Sequence, residues 1–425
     1  MIWTMLATFF AHILLGVPLF LALLATAVVG FAFVDFSLLP RMLPQQFFGG
    51  INAFSLMAIP LFILAGNLMN ATSLTQRLMD LARALVGHLR GGLGYVNVVA
   101  SVFFAGVNGS AVADTSALGT LLVPAMRREG YNAPYAAGLT AGSSLIGPII
   151  PPSIFMILYA ALTNTSVGDL FLAGVVPGLV LGAAFMAMNY VYARRAAIPV
   201  RAQRPAAGEL GRAFVAALPA LAAPFIIVAG IVGGVVTPTE SGALTALYVL
   251  VVGSLMGGAS WRAVIAAVMD TVRLTSAIFL IMAAAAVVSW LLSYAQAPER
   301  FAAMLAPLAD RPVLVLFALS AITFVTGMFM EEISALMLLT PVFLPVAMSA
   351  GIDPVHLGIV VTLNITIALI TPPMGACVFV AAAVSRLDIA ALFRTIWPFV
   401  LVALAVLVVL ICFPALSLTL PGLFH

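Results

Sequence analysis

Residues 143–153 read SSLIGPIIPPS, and residues 364–374 read NITIALITPPM. Each stretch places a Pro-Pro pair inside a long apolar segment, at 134–162 and at 354–383. A proline pair removes two backbone N–H donors and leaves carbonyls of the preceding turn without partners. Within a bilayer those carbonyls need a neighbouring helix, a water or a desolvated cation. The sequence therefore predicts two broken membrane helices, and the simpler alternative is that each pair only kinks its helix.

The composition is that of a membrane protein. Of the 425 residues, 64% are apolar and 7% are charged, whereas soluble domains carry about 25% charged residues. All 17 basic residues are arginine, which excludes a Walker-type phosphate loop because that loop requires lysine. We predict an all-α, multi-pass membrane protein in contact with the lipid bilayer, with no nucleic-acid partner. Further apolar spans are predicted at 1–34, 52–70, 170–193, 214–236, 240–258, 275–295 and 395–422.

Two more apolar stretches, 95–126 and 312–349, are interrupted near their middle by VNGSAVAD and TGMFMEE. Glycine and polar residues at the centre of an apolar stretch indicate re-entrant helical hairpins. If both hairpins return to the side from which they enter, 14 of the 17 arginines fall on one side of the membrane. The positive-inside rule makes that side cytoplasmic. Treating the first stretch as one full span would largely destroy this bias.

The two halves share an ordered set of landmarks. Residues 109–114 align with residues 327–332, and the Pro-Pro pair at 151–152 aligns with the pair at 372–373. The two matches keep the same order and nearly the same spacing, with one small insertion between them. The predicted topology makes the two copies antiparallel. Inverted repeats with paired broken helices are typical of secondary transporters, whose substrate and ion sites lie near the bilayer midplane.

A polar, proline-containing linker at 194–212 lies near the midpoint of the chain, where a boundary between repeats is expected. We predict a first repeat at 1–200 and a second at 201–425. Each repeat would supply scaffold helices, one hairpin and one Pro-Pro broken helix.

The residues around each break form a candidate cation cage. Carbonyl and hydroxyl oxygens suit a hard monovalent ion. The first predicted cage comprises Asn108, Ser110, Gly147, Ile150 and Pro152, and the second comprises Gly327, Ala368, Thr371 and Pro373.

Polar residues next to these cages are candidate substrate contacts, because a nearby half-helix N-terminus favours an anionic group. Two acidic residues at membrane depth are functional candidates by default. Asp114 could be a ligand or could instead cap its half-helix, and Glu332 is preferred over Glu331 because it aligns with Asp114. The predicted substrate contacts are Asn108, Ser110, Ser143, Ser144, Glu332, Asn364 and Thr366.

Four blocks of sequence resemble one known family. They are GSAVADTSALGTLLVPAMRREGYNAPYAAGLTAGSSLIGPIIPPS (109–153), GIDPVHLGIVVTLNITIALITPPMGA (351–376), IPLFILAGNLM (59–69) and TPTESGALTALY (237–248). Together they resemble the large membrane subunit (M subunit, DctM-like) of tripartite ATP-independent periplasmic (TRAP) transporters. The resemblance covers essentially the whole chain.

The resemblance implies a Na⁺-coupled importer of organic acids, such as C4-dicarboxylates, in the bacterial inner membrane. It implies an elevator motion, in which a domain holding both hairpins slides against a scaffold. It also implies two partners, a small DctQ-like membrane subunit and a periplasmic substrate-binding protein. The family's sodium sites use backbone carbonyls that map onto Gly147, Ile150, Pro152, Thr371 and Pro373. One departure is residue 368, alanine here, where related sequences often have glycine.

Other functions remain as alternatives. The nearest is a stand-alone ion-coupled symporter or exchanger of organic anions that needs no binding protein. An intramembrane enzyme using Asp114 and Glu332 is not expected, because the chain has no HExxH or Gly-x-Ser-x-Gly motif. A channel is disfavoured because the paired hairpins would occlude a pore.

Overall fold

The computed structural model describes residues 1–200, 204–256, 260–308 and 310–424, except for the side chains of residues 107, 108 and 306. These residues form helices and no strand. The helices up to residue 200 are α1 (Ile2–Leu14), α2 (Leu19–Val34), α3 (Leu39–Gly49), α4 (Ala58–Ala71), α5 (Leu74–Val86), α6 (Gly92–Asn108), α7 (Ala111–Arg128), α8 (Ala133–Ser143), α9 (Ile154–Thr163) and α10 (Val167–Arg195). Those after residue 200 are α11 (Ala207–Val232), α12 (Pro238–Leu255), α13 (Trp261–Tyr294), α14 (Ala297–Leu305), α15 (Pro312–Gly327), α16 (Glu332–Ser349), α17 (Pro354–Ala368), α18 (Ala376–Ser385), α19 (Ile389–Cys412) and α20 (Ala415–Phe424).

The predicted membrane architecture is confirmed. In the described ranges, six helical segments are long and apolar enough to cross a bilayer. Shorter apolar helices account for most of the other predicted spans, and the span predicted at 240–258 is the 18-residue helix α12, which belongs to neither set. The six segments are Phe54–Ala71, Val167–Arg195, Ala207–Val232, Trp261–Tyr294, Glu332–Ser349 and Ile389–Cys412.

Two predicted single spans are wrong, because each is divided into two helices. The segment 1–34 breaks between α1 and α2 at Gly16, which has φ +75°, and at Pro18. The segment 395–422 breaks between α19 and α20, next to Pro414. Apolar composition extends through both breaks, so hydropathy alone does not reveal them, whereas proline and a left-handed glycine end a helix locally.

Helix α13 begins at Trp261, well before the predicted span at 275–295. Its first turns contain Arg262, Asp270 and Arg273, which lower the local hydropathy. The side chains of Asp270 and Arg273 are mainly exposed and form an i,i+3 ion pair with a 3.4 Å N–O distance. The helix therefore extends beyond its apolar part, into a surface that tolerates charge.

Both predicted hairpins are present, and each is followed by a broken helix. Helices α6 and α7 pack together as the first hairpin, and α15 and α16 as the second. The chain then passes through α8, a non-helical break and α9 in the first half, and through α17, a break and α18 in the second. One long helix follows each broken helix, α10 in the first half and α19 in the second.

Helix ends give the register between the halves. Helices α7 and α16 are both 18 residues long, so their first residues, Ala111 and Glu332, correspond. The hairpin tip comprises residues 109–110 in the first half and the longer segment 328–331 in the second. The predicted alignment of 109–114 with 327–332 is therefore wrong. The sequence alignment pairs Glu332 with Asp114, whereas the helix starts pair Glu332 with Ala111. The error arose because the alignment matched glycine and acidic residues rather than helix caps.

The helices pack into two groups. We call α1–α5 with α11–α13 the flanking unit, and α6–α10 with α15–α20 the hairpin unit, because most of the strongest packing lies within these sets, whereas α14 packs on both α16 and α13. The units meet where α6 packs on α5 and where α16 packs on α13. Both halves of the chain contribute to each unit, and the division of the repeats at residue 200 stays a prediction.

Candidate functional site

The first hairpin reverses direction within two residues. Helix α6 ends at Asn108, whose side chain lies outside the described part of the structure, and Gly109 follows with φ +56°. Glycine adopts this left-handed conformation without a Cβ penalty. Ser110 is the N-cap of α7, and its Oγ accepts the Ala113 N–H at 3.4 Å. Local chemistry alone therefore places the tip at 109–110.

This tip lies directly on the first break. A Cβ built on Gly109 would lie 2.8 Å from the Pro152 carbonyl oxygen and 3.4 Å from the Ile154 nitrogen. A Cβ built on Gly147 would lie 2.9 Å from Oδ2 of Asp114. The two glycines allow the hairpin and the broken helix to approach at distances that no larger residue permits. The structure thus brings together four of the predicted site residues, Ser110, Asp114, Gly147 and Pro152, where the hairpin meets the break.

The first break leaves several backbone oxygens available. The Ser144 carbonyl accepts the Gly147 N–H at 3.0 Å, and the Ile146 carbonyl accepts two N–H groups. Among the described residues, no backbone N–H is donated to the carbonyls of Gly147, Ile150 or Pro152. Residues 147–149 and 151–153 are buried, and Ile150 is half-buried. Buried carbonyls without donors are the groups that a desolvated cation can coordinate.

The second break is built differently. The carbonyls of Ala368 and Thr371 accept backbone N–H groups at 3.0 Å and 3.1 Å, so this segment closes on itself as consecutive turns. The Thr371 hydroxyl donates to the Ile367 carbonyl at 2.8 Å. Pro373 is exposed, in contrast to its buried counterpart Pro152. Each accepting carbonyl here has one lone pair left for a ligand.

The second hairpin also contacts its break through a glycine. A Cβ built on Gly327 would lie 2.8 Å from the Ala368 Cβ. The alanine that departs from the family pattern therefore lies against the end of α15. Its methyl group occupies the space between the two backbones, so only glycine fits at residue 327.

Two predicted substrate contacts face a hairpin helix rather than a cavity. The Ser143 hydroxyl is fully buried and bonds to the Ser101 hydroxyl at 3.0 Å and to Asn97 Oδ1 at 3.2 Å, both on α6. Asn364 donates from Nδ2 to the Ser320 carbonyl of α15 at 2.7 Å. Ser143 in the first half and Asn364 in the second thus join the broken helix by hydrogen bonds to the first helix of the hairpin.

The other two polar candidates are also engaged within the protein. The Ser144 hydroxyl donates to the Ala141 carbonyl at 2.8 Å and lies 2.7 Å from the Thr115 hydroxyl of α7. The Thr366 hydroxyl donates to the Thr362 carbonyl of its own helix at 2.6 Å. All of these hydroxyls are buried, so their roles as substrate contacts stay predictions.

The acidic residues occupy unequal positions. Asp114 is the fourth residue of α7, in its first turn, and is fully buried, while the N-cap is Ser110. The role of Asp114 as a ligand or as a structural cap stays a prediction. In the second hairpin, Glu331 is the N-cap and accepts from the Ser334 N–H and hydroxyl, each at 3.1 Å. Glu332 is half-buried at the first position of α16.

Glu332 was preferred over Glu331 as a substrate contact because the sequence alignment paired it with Asp114, and the helix positions do not support that pairing. When the starts of α7 and α16 are aligned, Ser110 corresponds to Glu331, and Asp114 corresponds to Ala335. Glu332 is therefore not the counterpart of Asp114. Its proposed contact with substrate stays a prediction without the support of symmetry.

Sequence reasoning missed a buried polar layer between α6, α7 and α8. Asn97 donates to the Thr140 hydroxyl at 2.6 Å. Ser101 and Thr115 bond to the two serines that precede the first break. The available signal was a set of polar residues at helical spacing in segments that are otherwise apolar. The layer fixes the hairpin on the broken helix independently of any ligand.

Paired hairpins whose tips lie on broken helices at membrane depth define a multi-pass membrane transport protein of the secondary-transporter type. The family model described as the DctM component of the tripartite ATP-independent periplasmic transporter matches residues 6–416. The chain therefore belongs to the DctM family, and it is a large permease component located in the inner membrane.

Named relatives agree with this assignment. The chain is 38% identical to the sialic acid TRAP transporter large permease protein SiaM of Vibrio cholerae over 384 residues, covering 89% of each chain. It is 39% identical to the 2,3-diketo-L-gulonate TRAP transporter large permease protein YiaN of Escherichia coli over 381 residues, covering 88% of each. The crystal structure of the Alcanivorax borkumensis YdaH transporter shares the fold, with a TM-score of 0.64 and 17% identity over 88% of this chain and 87% of that one.

The contact between hairpin tip and break predicts a difference between two glycines. Gly109 and Gly16 both have positive φ, at 56° and 75°, but no atom lies within 4 Å of a Cβ built on Gly16. Both Gly→Ala variants incur a left-handed backbone penalty of about 1 kcal/mol. We expect Gly109→Ala to lose about 1–3 kcal/mol more through overpacking against Pro152.

Thermal unfolding of the purified variants in detergent measures this difference. The unfolding midpoint should fall clearly further for Gly109→Ala than for Gly16→Ala. Equal shifts would contradict the close approach of the first tip to its break.

Proposed function

We propose that this chain is the translocating subunit of a Na⁺-coupled importer that carries an organic acid across the inner membrane. The observation that carries the proposal is the buried contact between the first hairpin tip and the first break. The carbonyls of Gly147, Ile150 and Pro152 in this break accept no backbone N–H among the described residues, and Gly147 lies against the Asp114 carboxylate. Oxygen ligands and a buried negative charge suit a hard monovalent cation better than they suit an anion.

A second observation supports a cation in the other half. Asn364 is fully buried, and its Oδ1 has no hydrogen-bond partner among the described residues. A buried amide oxygen without a donor is costly, and a cation would relieve that cost. In this proposal, Na⁺ would be held by oxygens of Ser110, Gly147, Ile150 and Pro152 in one half, and of Ala368, Thr371 and Pro373 in the other.

The substrate is proposed to be a carboxylate. SiaM and YiaN are named for sialic acid and 2,3-diketo-L-gulonate, which are both sugar acids. In this chain, α7 and α9 begin within contact distance of each other, at Ser110 and Ser153. Two adjacent helix N-termini present N–H groups and positive dipole ends, which attract a carboxylate. Bound Na⁺ would add to this attraction and couple the two ligands.

Two partners complete the proposed transporter, since the family model describes one component of a tripartite system. A small DctQ-like membrane subunit would bind this chain within the bilayer. A periplasmic binding protein would deliver the substrate. The alternative is a stand-alone exchanger, which would need neither. A catalytic role is not proposed, because the relatives are transporter permease subunits.

Uptake into proteoliposomes tests the function. The chain and its small subunit are reconstituted, and radiolabelled carboxylates are presented outside, with or without the binding protein and an inward Na⁺ gradient. We expect uptake only when the binding protein and the inward Na⁺ gradient are both present. Uptake without the binding protein would favour the exchanger, and uptake unaffected by Na⁺ or by its gradient would overturn sodium coupling.

The proposed cages predict a matched set of hydroxyl variants. We expect Ser110→Ala and Thr371→Ala each to raise the Na⁺ concentration for half-maximal uptake about tenfold, since an interaction with a charged group contributes at least ~1.5 kcal/mol. Thr120→Ala is the control, because Thr120 is exposed on α7 and bonds only to the Ser116 carbonyl. Unchanged Na⁺ activation in both site variants would remove this assignment.

The elevator motion is proposed from the division into two units. Gly106 of the hairpin unit faces Pro224 of the flanking unit, with a built Cβ 2.8 Å from the Pro224 Cβ. Gly119 and Val384 lie within the hairpin unit, with a corresponding Cβ distance of 3.9 Å. The Gly119–Val384 distance matches the Cβ separation of about 3.8 Å found in disulfides. The Gly106–Pro224 distance is shorter, so the two helices must separate slightly when this bond forms.

Cysteine pairs at these positions test the motion, in a background with Cys377→Ala and Cys412→Ala. Oxidising Gly106→Cys/Pro224→Cys should abolish uptake, and reduction should restore it, because a bond between the units prevents sliding. Oxidising Gly119→Cys/Val384→Cys should leave uptake unchanged. Full activity of the cross-linked first pair would contradict an elevator.

A further inference from the structure

A long apolar groove runs along the outer surface of the hairpin unit, between α10 and α19. Its volume is about 730 Å³. Tyr135 and Phe399 form part of its floor, and Val180 and Val409 lie at one end. Arg195, Tyr192 and Thr395 lie at the other end, where the ring of Tyr192 stacks on that of Tyr135, and Arg195 is the only charged lining residue among those described. The groove is therefore amphipathic along its length.

The groove runs along α10 and α19, two helices that are long and apolar enough to cross a bilayer. From Val180 to Arg195 along α10, and from Val409 to Thr395 along α19, the groove extends about 22 Å at 1.5 Å per residue. The two helices run in opposite directions, so both polar residues lie at the same end. One leaflet of the hydrocarbon core is about 15 Å thick. The apolar part of the groove therefore has the depth of one leaflet.

The polar end lies on the side that the arginine bias makes cytoplasmic. Arg194 precedes Arg195, and its guanidinium lies 4.4 Å from the centre of the Tyr190 ring. Arg90, Tyr190 and Arg194 line a second cavity of about 550 Å³ on the adjoining face of α10. Neither of the two salt bridges found in the described residues involves these arginines. Arg195 thus lies at the mouth of the groove, and Arg194, the preceding residue of α10, lines the second cavity together with Arg90.

We propose that this groove binds one anionic phospholipid of the cytoplasmic leaflet. An acyl chain would lie between α10 and α19, against Ala184, Val402 and Phe399. The phosphate would bind Arg195, with Arg194 and Arg90 close by. Basic pockets between membrane helices on the cytoplasmic side select anionic headgroups. The charge at the mouth is what distinguishes this occupant from a zwitterionic lipid or from a protein helix.

Native mass spectrometry of the purified full-length chain tests the proposal. The probes are phosphatidylglycerol and phosphatidylcholine with identical acyl chains, added to the detergent-solubilised protein. We expect phosphatidylglycerol to be retained preferentially. Arg195→Gln should reduce its retention about fivefold, the contribution of one cationic side chain near an anionic membrane surface. Ala405→Trp, at an exposed position that lines the groove, should block the acyl chain and reduce retention of both lipids.

Matched controls separate the groove from general effects. Arg212→Gln removes an exposed arginine of α11, and Leu244→Trp adds bulk at an exposed position of α12. Both should retain lipid like the unmodified chain, and melting curves verify that every variant is folded. Equal retention of the two lipids, or no effect of Ala405→Trp, would overturn the proposal. Loss of the bound lipid when the small membrane subunit is added would also overturn it, by assigning the groove to a protein contact.

Discussion

The structure depends on one constraint, that backbone N–H and C=O groups inside a bilayer must find partners within the protein. Two segments of this chain break that rule locally, at 147–153 and 369–375, where Pro-Pro pairs interrupt helices at membrane depth. Non-helical backbone is tolerated there only because protein encloses it or because it lines a polar site. The hairpins pack against the broken helices and provide this enclosure. The fold therefore stabilises two helix breaks that would be costly if they were exposed to lipid.

The two breaks meet the constraint in different ways. The first is covered by its hairpin tip: the Pro152 carbonyl faces Gly109 of the tip, and Gly147 lies against the Asp114 carboxylate. The second satisfies its own carbonyls through turns and exposes Pro373 and Met374. Repeats that are equivalent in order of elements are therefore unequal in chemistry. A ligand at the first break would meet carbonyls that accept no backbone N–H, whereas a ligand at the second would meet the Ala368 and Thr371 carbonyls, which already accept one N–H each.

The positions of helix caps, rather than identical residue types, define which residues of the two repeats correspond. Ser110 and Glu331 both receive N–H groups of the outgoing hairpin helix, although one is a hydroxyl and the other a carboxylate. A sequence comparison that seeks similar residues pairs Asp114 with Glu332 and misplaces the tip. The chemistry of the two hairpins also differs in this register, since the residue one turn after the cap is the buried acid Asp114 in the first and Ala335 in the second.

The membrane class, the two hairpins and the two broken helices could be predicted from the sequence, because each follows from composition or from the local backbone chemistry of Gly and Pro. The family could be predicted from the resemblance of four sequence blocks. The sequence also located Ser110, Gly147 and Pro152, which the fold brings into one contact. The partners of the buried polar side chains, in contrast, could be found only from the packing in three dimensions. Ser143 and Asn364 bond to hairpin helices, and helical periodicity cannot reveal this in a segment that is buried on every side. Which neighbour a buried polar group meets depends on packing between helices distant in sequence, and that information is not local.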